Sequence, residues 1–314
     1  GEARRARPPG PGDASYEIIS EILGRPPDHL LQDAAARRSL PDCAAVILDY
    51  YERFGMVPDI NSPKPFNEKI AWRKLYQRDP RFTLYSDKVA VKTEVAKLIG
   101  ERHVVKTLWV GSDPNLIPFD DLTPPYVIKV NHSSGGTIFI HSIDDIDRLN
   151  ITDSIRAQLA YEHRDCFREW GYLNIPRMVL IEDMLLESEN SVPEDYKFFV
   201  YNGNVRFVEV DVDRFASHAR GLYDRSWRRI AGQPNFPKHL DKKFKKPKSL
   251  DEMIFIAETI GRIFDFVRID LYSIRGRVYF GEATFYQAAG LGEFVPRELD
   301  YKFGEPWIIS ASLA

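Results

Sequence analysis

The sequence is poor in the residues from which the commonest redox, zinc and hydrolytic sites are recognised. Its 314 residues include two cysteines, Cys43 and Cys166, which lie too far apart for a metal or redox motif. This usage predicts a reducing, cytoplasmic compartment. The seven histidines lack metal-ligand spacing, and no Ser-His-Asp or Cys-His arrangement can be argued. Disulfide, zinc and triad chemistry are therefore not indicated.

Charge and hydropathy argue against two classes of partner. The net charge is −3, so no global basic field would attract nucleic acid or an anionic membrane. No apolar run is long enough for a transmembrane helix, and we expect no membrane insertion. The basic segment "KHLDKKFKKPK" has no interleaved stacking pattern, which favours a solvated loop over a nucleic-acid patch.

The hydrophobic pattern predicts a helical beginning followed by two mixed lobes, which is an α+β fold. Residues 1–14 are rich in Pro, Gly, Arg and Ala and are predicted to be disordered. Residues 15–125 are predicted to form a helical, substrate-side domain. Within it, "SPKPFNEKIAWRKLYQRDP" predicts a loop and a short amphipathic helix stopped by Pro80. The α+β lobes are predicted at 126–181 and 182–314.

The segment "YVIKVNHSSGGTIFI" predicts two strands joined by a glycine loop. Lys129 ends the first strand, and the loop contains Ser133, Ser134, Gly135, Gly136 and Thr137. Glycines let backbone N–H groups converge on an anion, and the lysine adds a point charge. This is not the P-loop pattern, because the lysine precedes the glycines and no helix follows. The pattern indicates phosphate binding, with an ordinary hairpin loop as the alternative.

The segment "VRIDLYSIRGRVYFGEATF" predicts a hairpin whose turn contains Gly276. Asp270 and Glu282 lie six residues before and six residues after Gly276, so they are predicted to face each other. Like charges in opposite positions repel unless a cation lies between them. The two carboxylates and Thr284, on the same face, suit Mg²⁺. The alternative is an exposed face on which Arg268 neutralises both acids.

Three further groups of residues are weaker candidates. Acids at the end of "VLIEDMLLE" predict a hinge that reads a nucleobase, although acids at a strand end are usually solvated. A lysine in "EDYKFFVYNG" is a candidate phosphate ligand, with a solvent-facing lysine as the alternative. The end of "VEVDVDRF" is a candidate substrate contact. The acids of the first segment are Glu182 and Asp183, and the lysine of the second is Lys197. The residues at the end of the third are Asp211, Asp213 and Arg214.

Taken in order, these motifs resemble the ATP-grasp superfamily, and more closely its TupA-like family. The resemblance is carried by "FNEKIAWRKLYQRDPRFTLYSDKVAVK", "VIKVNHSSGG", "REWGYLNIPR", "DYKFFVYNGNVRFVEVDVDRF" and "FVRIDLYSIRGRVYFGEATFY". It covers roughly residues 50 to 305. It implies an ATP-grasp fold, in which two α+β lobes hold ATP between them under a flexible glycine loop.

The resemblance also implies roles for individual residues. Lys88 and Lys129 would contact phosphates, and the loop from Ser133 to Thr137 would lie over the β- and γ-phosphates. Arg268 would stabilise the tetrahedral intermediate or bind the carboxylate. Adenine would be held by Glu182, Asp183 and the backbone near Leu185, and the ribose by one of Glu187, Glu189 or Glu194. Lys197 would line the nucleotide pocket. Magnesium, usually as two ions, would be held by Asp270, Glu282 and Thr284.

The chain departs from the TupA-like pattern at two points and from the pattern of the wider superfamily at a third. It reads "FYQAAG" from Phe285 to Gly290 where the family typically continues "FYPGSG". It reads "NHSSGG" where "NHGSGG" is expected. Most of the superfamily has asparagine where this chain has Thr284, although threonine is usual in the TupA-like branch. In relatives the "FYPGSG" turn lies near the acceptor, so a change of substrate choice is expected.

The resemblance implies an ATP-dependent ligase that joins a carboxylate to an amine. The carboxylate attacks the γ-phosphate and forms an acylphosphate and ADP, and an amine then displaces phosphate to form the amide. We expect an amino acid as one substrate, in surface-polysaccharide or secondary-metabolite biosynthesis. The alternatives are a kinase on the same scaffold, which phosphorylates a hydroxyl, and a nucleotide-binding regulatory protein without turnover.

Overall fold

The computed structural model describes residues 14–23, 40–133, 135–161, 167–187, 193–212, 219–234, 240–241 and 243–309. The predicted disordered tail lies outside these residues except for its last position. The candidate residues Ser134, Glu189, Asp213 and Arg214 also lie outside them. Within the described ranges, no helix combines the length and the apolar composition needed to cross a bilayer.

Helices dominate the described part of the first hundred residues and recur around both sheets. Those of the described part are α1 (Ala14–Leu23), α2 (Asp42–Phe54), α3 (Phe66–Tyr76), α4 (Pro80–Ser86), α5 (Ala90–Ile99), α6 (Arg148–Ala160), α7 (Leu250–Gly261) and α8 (Glu298–Gly304). Helix α2 ends at Gly55, whose φ of 70° is the left-handed conformation that glycine tolerates. Pro80 does not stop α3, which ends at Tyr76. Pro80 instead opens α4, where its missing N–H has no helical partner to lose.

The strands follow from residue 107 onward. They are β1 (Thr107–Gly111), β2 (Tyr126–Val130), β3 (Ile138–Ile140), β4 (Val179–Asp183), β5 (Asp195–Tyr201), β6 (Asn204–Val212), β7 (Ala219–Asp224), β8 (Gln233–Pro234), β9 (Leu240–Asp241), β10 (Phe266–Ile274), β11 (Arg277–Thr284) and β12 (Phe294–Val295). The hairpin of β5 and β6 turns at Asn202-Gly203, where both residues have positive φ.

Two sheets carry the residues of interest. A four-stranded antiparallel sheet has the order β1-β4-β2-β3 and packs its core against α6. A six-stranded sheet has the order β11-β10-β5-β6-β7-β9 and packs against α7. The predicted α+β fold is confirmed. The domain boundaries stay a prediction. The four-stranded sheet includes β1, which precedes the predicted boundary at residue 126, and β4, which ends at Asp183.

Helix α3 is enclosed by the protein on all sides from Phe66 to Lys74, and only its last turn reaches the surface. Its sequence contains charged residues on what would be its polar face, yet Arg73 and Lys74 are at most 1% exposed. They donate to main-chain carbonyl groups: Arg73 to those of Phe266 and Phe285 at 3.0 and 3.2 Å, and Lys74 to that of Ala289 at 2.9 Å. Buried cations are tolerated when every polar contact is satisfied. The helix predicted as amphipathic therefore holds the C-terminal lobe by hydrogen bonds.

Candidate active site

A cavity of about 370 Å³ is lined by residues from both sheets. Val91, Val127, Met184 and Leu185 line it with apolar surface, and Phe280 adds an aromatic ring. Its polar lining consists of lysines and carboxylates. The lining includes Lys88, Lys92, Lys129, Gly135, Thr137, Glu182, Asp183, Asp195, Asp211, Asp270 and Glu282. Most of the predicted site residues that the structure describes therefore converge on one cavity.

Three lysines and one carboxylate form the cationic part of this cavity. Glu182 on β4 accepts from Lys129 on β2 and lies 2.6 Å from the ammonium of Lys92 on α5. Burial alone would raise the pKa of Glu182, but the two ammonium groups outweigh it and hold that pKa below its ordinary value. Burial lowers the pKa of Lys88. Lys92 was missed by the sequence analysis; it lies in the first turn of α5, and Lys88 precedes that helix.

The predicted glycine loop connects β2 to β3 directly. Lys88 donates to the carbonyl of Ser133 at 2.5 Å, which ties the start of the loop to the segment before α5. Gly135 and Gly136 have φ of 79° and 69°, the left-handed conformation that glycine adopts without strain. Gly135 and Thr137 line the cavity. The loop predicted as a phosphate cover thus borders the lysines.

The end of β4 brings only part of the predicted nucleotide hinge to the cavity. Asp183, Met184 and Leu185 line it. Glu187 is exposed, and its carbonyl accepts from Arg275 at 3.4 Å. It does not line the cavity. Glu194 accepts a hydrogen bond from the hydroxyl of Tyr196. The ribose contact among these acids stays a prediction.

The hairpin of β10 and β11 places Asp270 opposite Glu282, as predicted. This register depends on a bulge, because Leu271 pairs with Phe280 and the next pair is Asp270 with Glu282, which leaves Gly281 unpaired. A Cβ on Gly281 would lie 3.1 Å from the carbonyl oxygen of Asp270 and 2.9 Å from the ring of Tyr272. Glycine at this position lets the two strands approach closely enough for the carboxylates to face each other.

Gly281→Ala is expected to disturb the carboxylate pair. The added methyl group must push against the backbone of Asp270, so we expect a loss of about 1–3 kcal/mol in the free energy of unfolding. We also expect a weaker affinity for Mg²⁺·ADP by about tenfold, measured by titration calorimetry. Gly276→Ala is the matched control. Its added Cβ meets nothing within 4 Å, so strain at its φ of 81° should lower stability while the affinity stays unchanged. Equal affinity losses in both variants would contradict a role for the bulge.

Arg268 bridges the two facing carboxylates. Its Nε and Nη2 donate to Asp270 at 2.6 Å each, and Nη2 also donates to Glu282 at 3.0 Å. Thr284 donates to the same Glu282 oxygen at 3.3 Å. Burial raises the pKa of Asp270 to about 6 even though Arg268 and Lys197 oppose that shift. The alternative of an exposed face is wrong, since Asp270 and Arg268 are 2% and 8% exposed, but Arg268 does neutralise the pair.

Lys197 is buried, so the alternative of a solvent-facing lysine is wrong. Strand register places it in one row with Glu282, Asp270 and Glu209 across β11, β10, β5 and β6. Its ammonium contacts Asp195 and lies 3.5 Å from Asp211 and 3.7 Å from Asp270. The ammonium therefore neutralises carboxylates from three strands at the edge of the cavity.

Asp195, Glu209 and Arg220 extend this charged face and were missed by the sequence analysis. Arg220 pairs with Asp211 at 2.6 Å and lies 3.4 Å from Glu209. Burial raises the pKa of Glu209 to about 7. The alternation that places Lys197 and Asp211 on this face also applies to Asp195 and Glu209, which lie two residues away from them. That alternation was the available signal.

The turn after β11 carries the departure "QAAG". Gln287 is 5% exposed and accepts from Nη1 of Arg268. Ala288 and Ala289 have φ of 47° and 56°, a conformation disfavoured for residues with a Cβ. The glycine of the family motif "FYPGSG" at position 288 suits this backbone. Lys74 on α3 holds the turn through the carbonyl of Ala289.

Ala288→Gly is expected to stabilise the protein. Glycine removes the steric penalty of the left-handed conformation, which exceeds its added entropy in the unfolded chain, so we expect a gain of up to about 1 kcal/mol. Urea unfolding measures the change. Ala96→Gly inside α5 should lose about 1 kcal/mol, because helical glycine is unfavourable. A loss of stability in both variants would contradict strain at Ala288.

The whole cavity lies in a part of the chain that matches one protein family in sequence. The sequence model for the TupA-like ATP-grasp family matches residues 68–308. The chain belongs to the TupA-like ATP-grasp family. The match covers both sheets and the cavity between them, so the predicted ATP-grasp fold and the predicted family are confirmed. No curated protein matches the chain in sequence.

Solved structures similar to this TupA-like protein are distant. The D-alanine–D-alanine ligase of Bacillus anthracis is 16% identical, with a TM-score of 0.37, and the match covers 64% of this chain and 57% of the ligase. The ATP-grasp ligase PsnB, complexed with a phosphomimetic variant of its minimal precursor, Mg and ADP, is 12% identical, with a TM-score of 0.38 and coverage of 96% and 78%. The Helicobacter pylori D-alanine–D-alanine ligase is 13% identical, with a TM-score of 0.39 and coverage of 78% and 69%. The chain spans less than two thirds of the length of the Bacillus anthracis ligase.

Proposed function

We propose that this TupA-like protein is an ATP-dependent carboxylate–amine ligase that forms an amide bond through an acylphosphate. One observation carries the proposal: a single cavity contains Lys88, Lys92 and Lys129 together with the facing carboxylates Asp270 and Glu282. Ammonium groups attract phosphates, and facing carboxylates attract a divalent cation. A cavity with both features suits a nucleoside triphosphate that carries a metal ion.

In this proposal the lysines bind the phosphates of the nucleotide and the hinge binds its base. Lys88 and Lys129 contact the phosphates, and the loop from Ser133 to Thr137 closes over them and excludes water. The base lies against Met184 and Leu185, whose apolar surface lines the cavity. Glu182 orients Lys129 and Lys92 through its ion pairs with both. A preoriented cation loses less freedom when the phosphate arrives.

The donor set at the hairpin fits Mg²⁺. Asp270, Glu282 and Thr284 present oxygen ligands, which this cation prefers, and leave ligand positions for phosphate oxygens. Within the described ranges, no group of three His, Cys, Asp or Glu could hold a metal ion, so the proposed set relies on the threonine hydroxyl. Bound Mg²⁺ would neutralise phosphate charge during transfer.

In this proposal Arg268 acts on the acyl group. In the first step the substrate carboxylate, which Arg268 binds, bonds through its oxygen to the γ-phosphorus, and the bond to ADP breaks. In the second step the amine nitrogen bonds to the acyl carbon, phosphate leaves, and the nitrogen loses a proton. The second step builds negative charge on the acyl oxygen, which a fixed guanidinium stabilises. An amino acid as one substrate, and a place in surface-polysaccharide or secondary-metabolite biosynthesis, complete the proposal.

A two-stage assay tests the ligase. Pools of amino acids and uronic acids are first incubated with ATP, Mg²⁺ and hydroxylamine, which traps any acylphosphate as a hydroxamate and so identifies the acid alone. The identified acid is then offered with pools of amines. A ligase releases ADP and phosphate in equal amounts with an amide of the summed mass. A stable phosphoester without free phosphate indicates the kinase, and ADP formation at background with every pool indicates the regulatory protein.

A further inference from the structure

The guanidinium of Arg268 is held along two different edges. One edge, formed by Nε and Nη2, donates three hydrogen bonds to Asp270 and Glu282. The other edge, at Nη1, donates to Oε1 of Gln287. Arginine has five N–H donors and no acceptor, so Gln287 must present its oxygen to Arg268. The amide orientation of Gln287 is thereby determined.

Gln287 is itself firmly positioned. It lies in the turn from Gln287 to Gly290, which continues from β11, and is 5% exposed. Lys74 donates to the carbonyl of Ala289, two residues further on, from inside the enclosed helix α3. Gly290 packs closely against the same helix, since a Cβ there would lie 3.0 Å from the carbonyl oxygen of Asn67. The turn cannot shift without moving α3.

The two contacts of Arg268 respond differently to a bound cation. Asp270 and Glu282 are the carboxylates proposed to hold Mg²⁺, and a divalent ion draws their charge away from the guanidinium. The amide of Gln287 is neutral and is not in the proposed ligand set. Its hydrogen bond to Nη1 therefore persists while the other edge is weakened.

We propose that Gln287 is a positioning residue that keeps Arg268 directed at the reacting acyl group while Asp270 and Glu282 bind the cation. The inference rests on the proposed ligase function and names a residue of that site. The substrate group that Arg268 meets is anionic, a carboxylate that becomes an acylphosphate. Gln287 acts through Arg268 and needs no contact with the substrate.

A kinetic cycle tests whether Gln287 acts through Arg268. Gln287→Met, which keeps the length but loses the acceptor, is expected to lower kcat by about 10- to 100-fold with the KM for ATP nearly unchanged. Gln287→Glu restores an acceptor for Nη1 and should recover most of kcat. Arg268→Lys keeps the charge but lacks Nη1, so adding Gln287→Met to it should lower kcat no further. Lysine is chosen because an uncharged residue would leave the buried Asp270 with only the Lys197 ammonium, 3.7 Å away and shared with Asp195 and Asp211, as its counter-ion.

A second measurement does not depend on turnover. The Nε–H resonance of Arg268, identified by its loss in Arg268→Lys, reports whether the side chain is ordered. In the unmodified protein it should persist after Mg²⁺ and ADP are added. In Gln287→Met it should be present without ligand and broaden once Mg²⁺ and ADP bind. Gln77→Met is the matched control, because Gln77 accepts from Nε of Arg73 at 2.7 Å in the same way, away from the cavity. It should leave the Arg268 resonance as in the unmodified protein.

The outcomes separate this inference from the proposed function. Three results would each overturn the role of Gln287 and leave the proposed function standing. They are an unchanged kcat in Gln287→Met, multiplicative losses of kcat in the double variant, and an Arg268 resonance that persists in Gln287→Met with Mg²⁺ and ADP. An unmodified protein without acceptor-dependent phosphate release would overturn the ligase, while the resonance comparison would still decide on Gln287. If titration calorimetry shows that the unmodified protein does not bind Mg²⁺·ADP, both the proposed function and the role of Gln287 are overturned.

Discussion

Glu282→Gln is expected to abolish Mg²⁺-dependent turnover. Glutamine keeps the shape of the side chain but removes one of the two facing charges that are proposed to hold the cation. Loss of that charge stabilisation is worth several kcal/mol of transition-state energy, so we expect kcat to fall by about a thousandfold. The phosphate-release assay measures this directly.

The fold should tolerate the Glu282→Gln substitution. The Glu282 side chain is 39% exposed, and Arg268 retains both of its bonds to Asp270. We therefore expect the free energy of unfolding to change by less than about 1 kcal/mol. Glu298→Gln, at an exposed position opening α8, serves as the control for a charge change far from the carboxylate pair. Turnover retained in Glu282→Gln would remove Glu282 from the proposed metal site.

Arg73→Met is expected to cost the protein about 3–5 kcal/mol in the free energy of unfolding. Arg73 is 0% exposed and pairs with Asp265 at 2.5 Å. It donates to the carbonyls of Phe266 and Phe285, at the ends of β10 and β11 away from their turn. Its guanidinium also lies 4.2 Å from the ring centroid of Trp307. Methionine fills the space but removes the cation that pairs with Asp265 and the N–H donor of two carbonyls.

Arg81→Met provides the comparison for Arg73→Met, measured by chemical denaturation. Arg81 also pairs with an aspartate, Asp79, at 2.5 Å, but its side chain is 51% exposed. An exposed ion pair contributes about 0–1 kcal/mol, so this variant should be nearly as stable as the unmodified protein. Similar losses in the two variants would contradict the role of Arg73 as the clamp on the open end of the hairpin.

The register of the β10–β11 hairpin shows how a correct prediction can need a tertiary detail. A tight turn at Arg275-Gly276 that pairs Ile274 with Arg277 would, if continued, bring Asp270 opposite Gly281. The bulge at Gly281 shifts the pairing by one residue and brings Glu282 into that place. Counting from Gly276 therefore predicted the right pair, but strand period alone does not predict a bulge.

The exposure of the helix "FNEKIAWRKLY" is not predicted correctly by its local sequence pattern. Its two lysines and one arginine predict a solvated face. That face is buried because the carbonyls of Phe266, Phe285 and Ala289, about two hundred residues later in the chain, accept its hydrogen bonds. Sequence periodicity carries no information about acceptors so distant in the chain. The prediction for Pro80 is wrong for a local reason, because a proline opens a helix as readily as it ends one.

The sequence by itself determined the α+β class, the glycine loop after Lys129, the Asp270–Glu282 hairpin and the family, because each depends on short-range periodicity, turn chemistry or an ordered set of motifs. Only the tertiary structure decided that Lys92 joins Lys129 on Glu182, that Lys197 lies buried among three aspartates, and that Gln287 holds Arg268. These contacts join segments far apart in the chain. Which charges meet there depends on how the two sheets and α3 pack, and no local pattern encodes that packing.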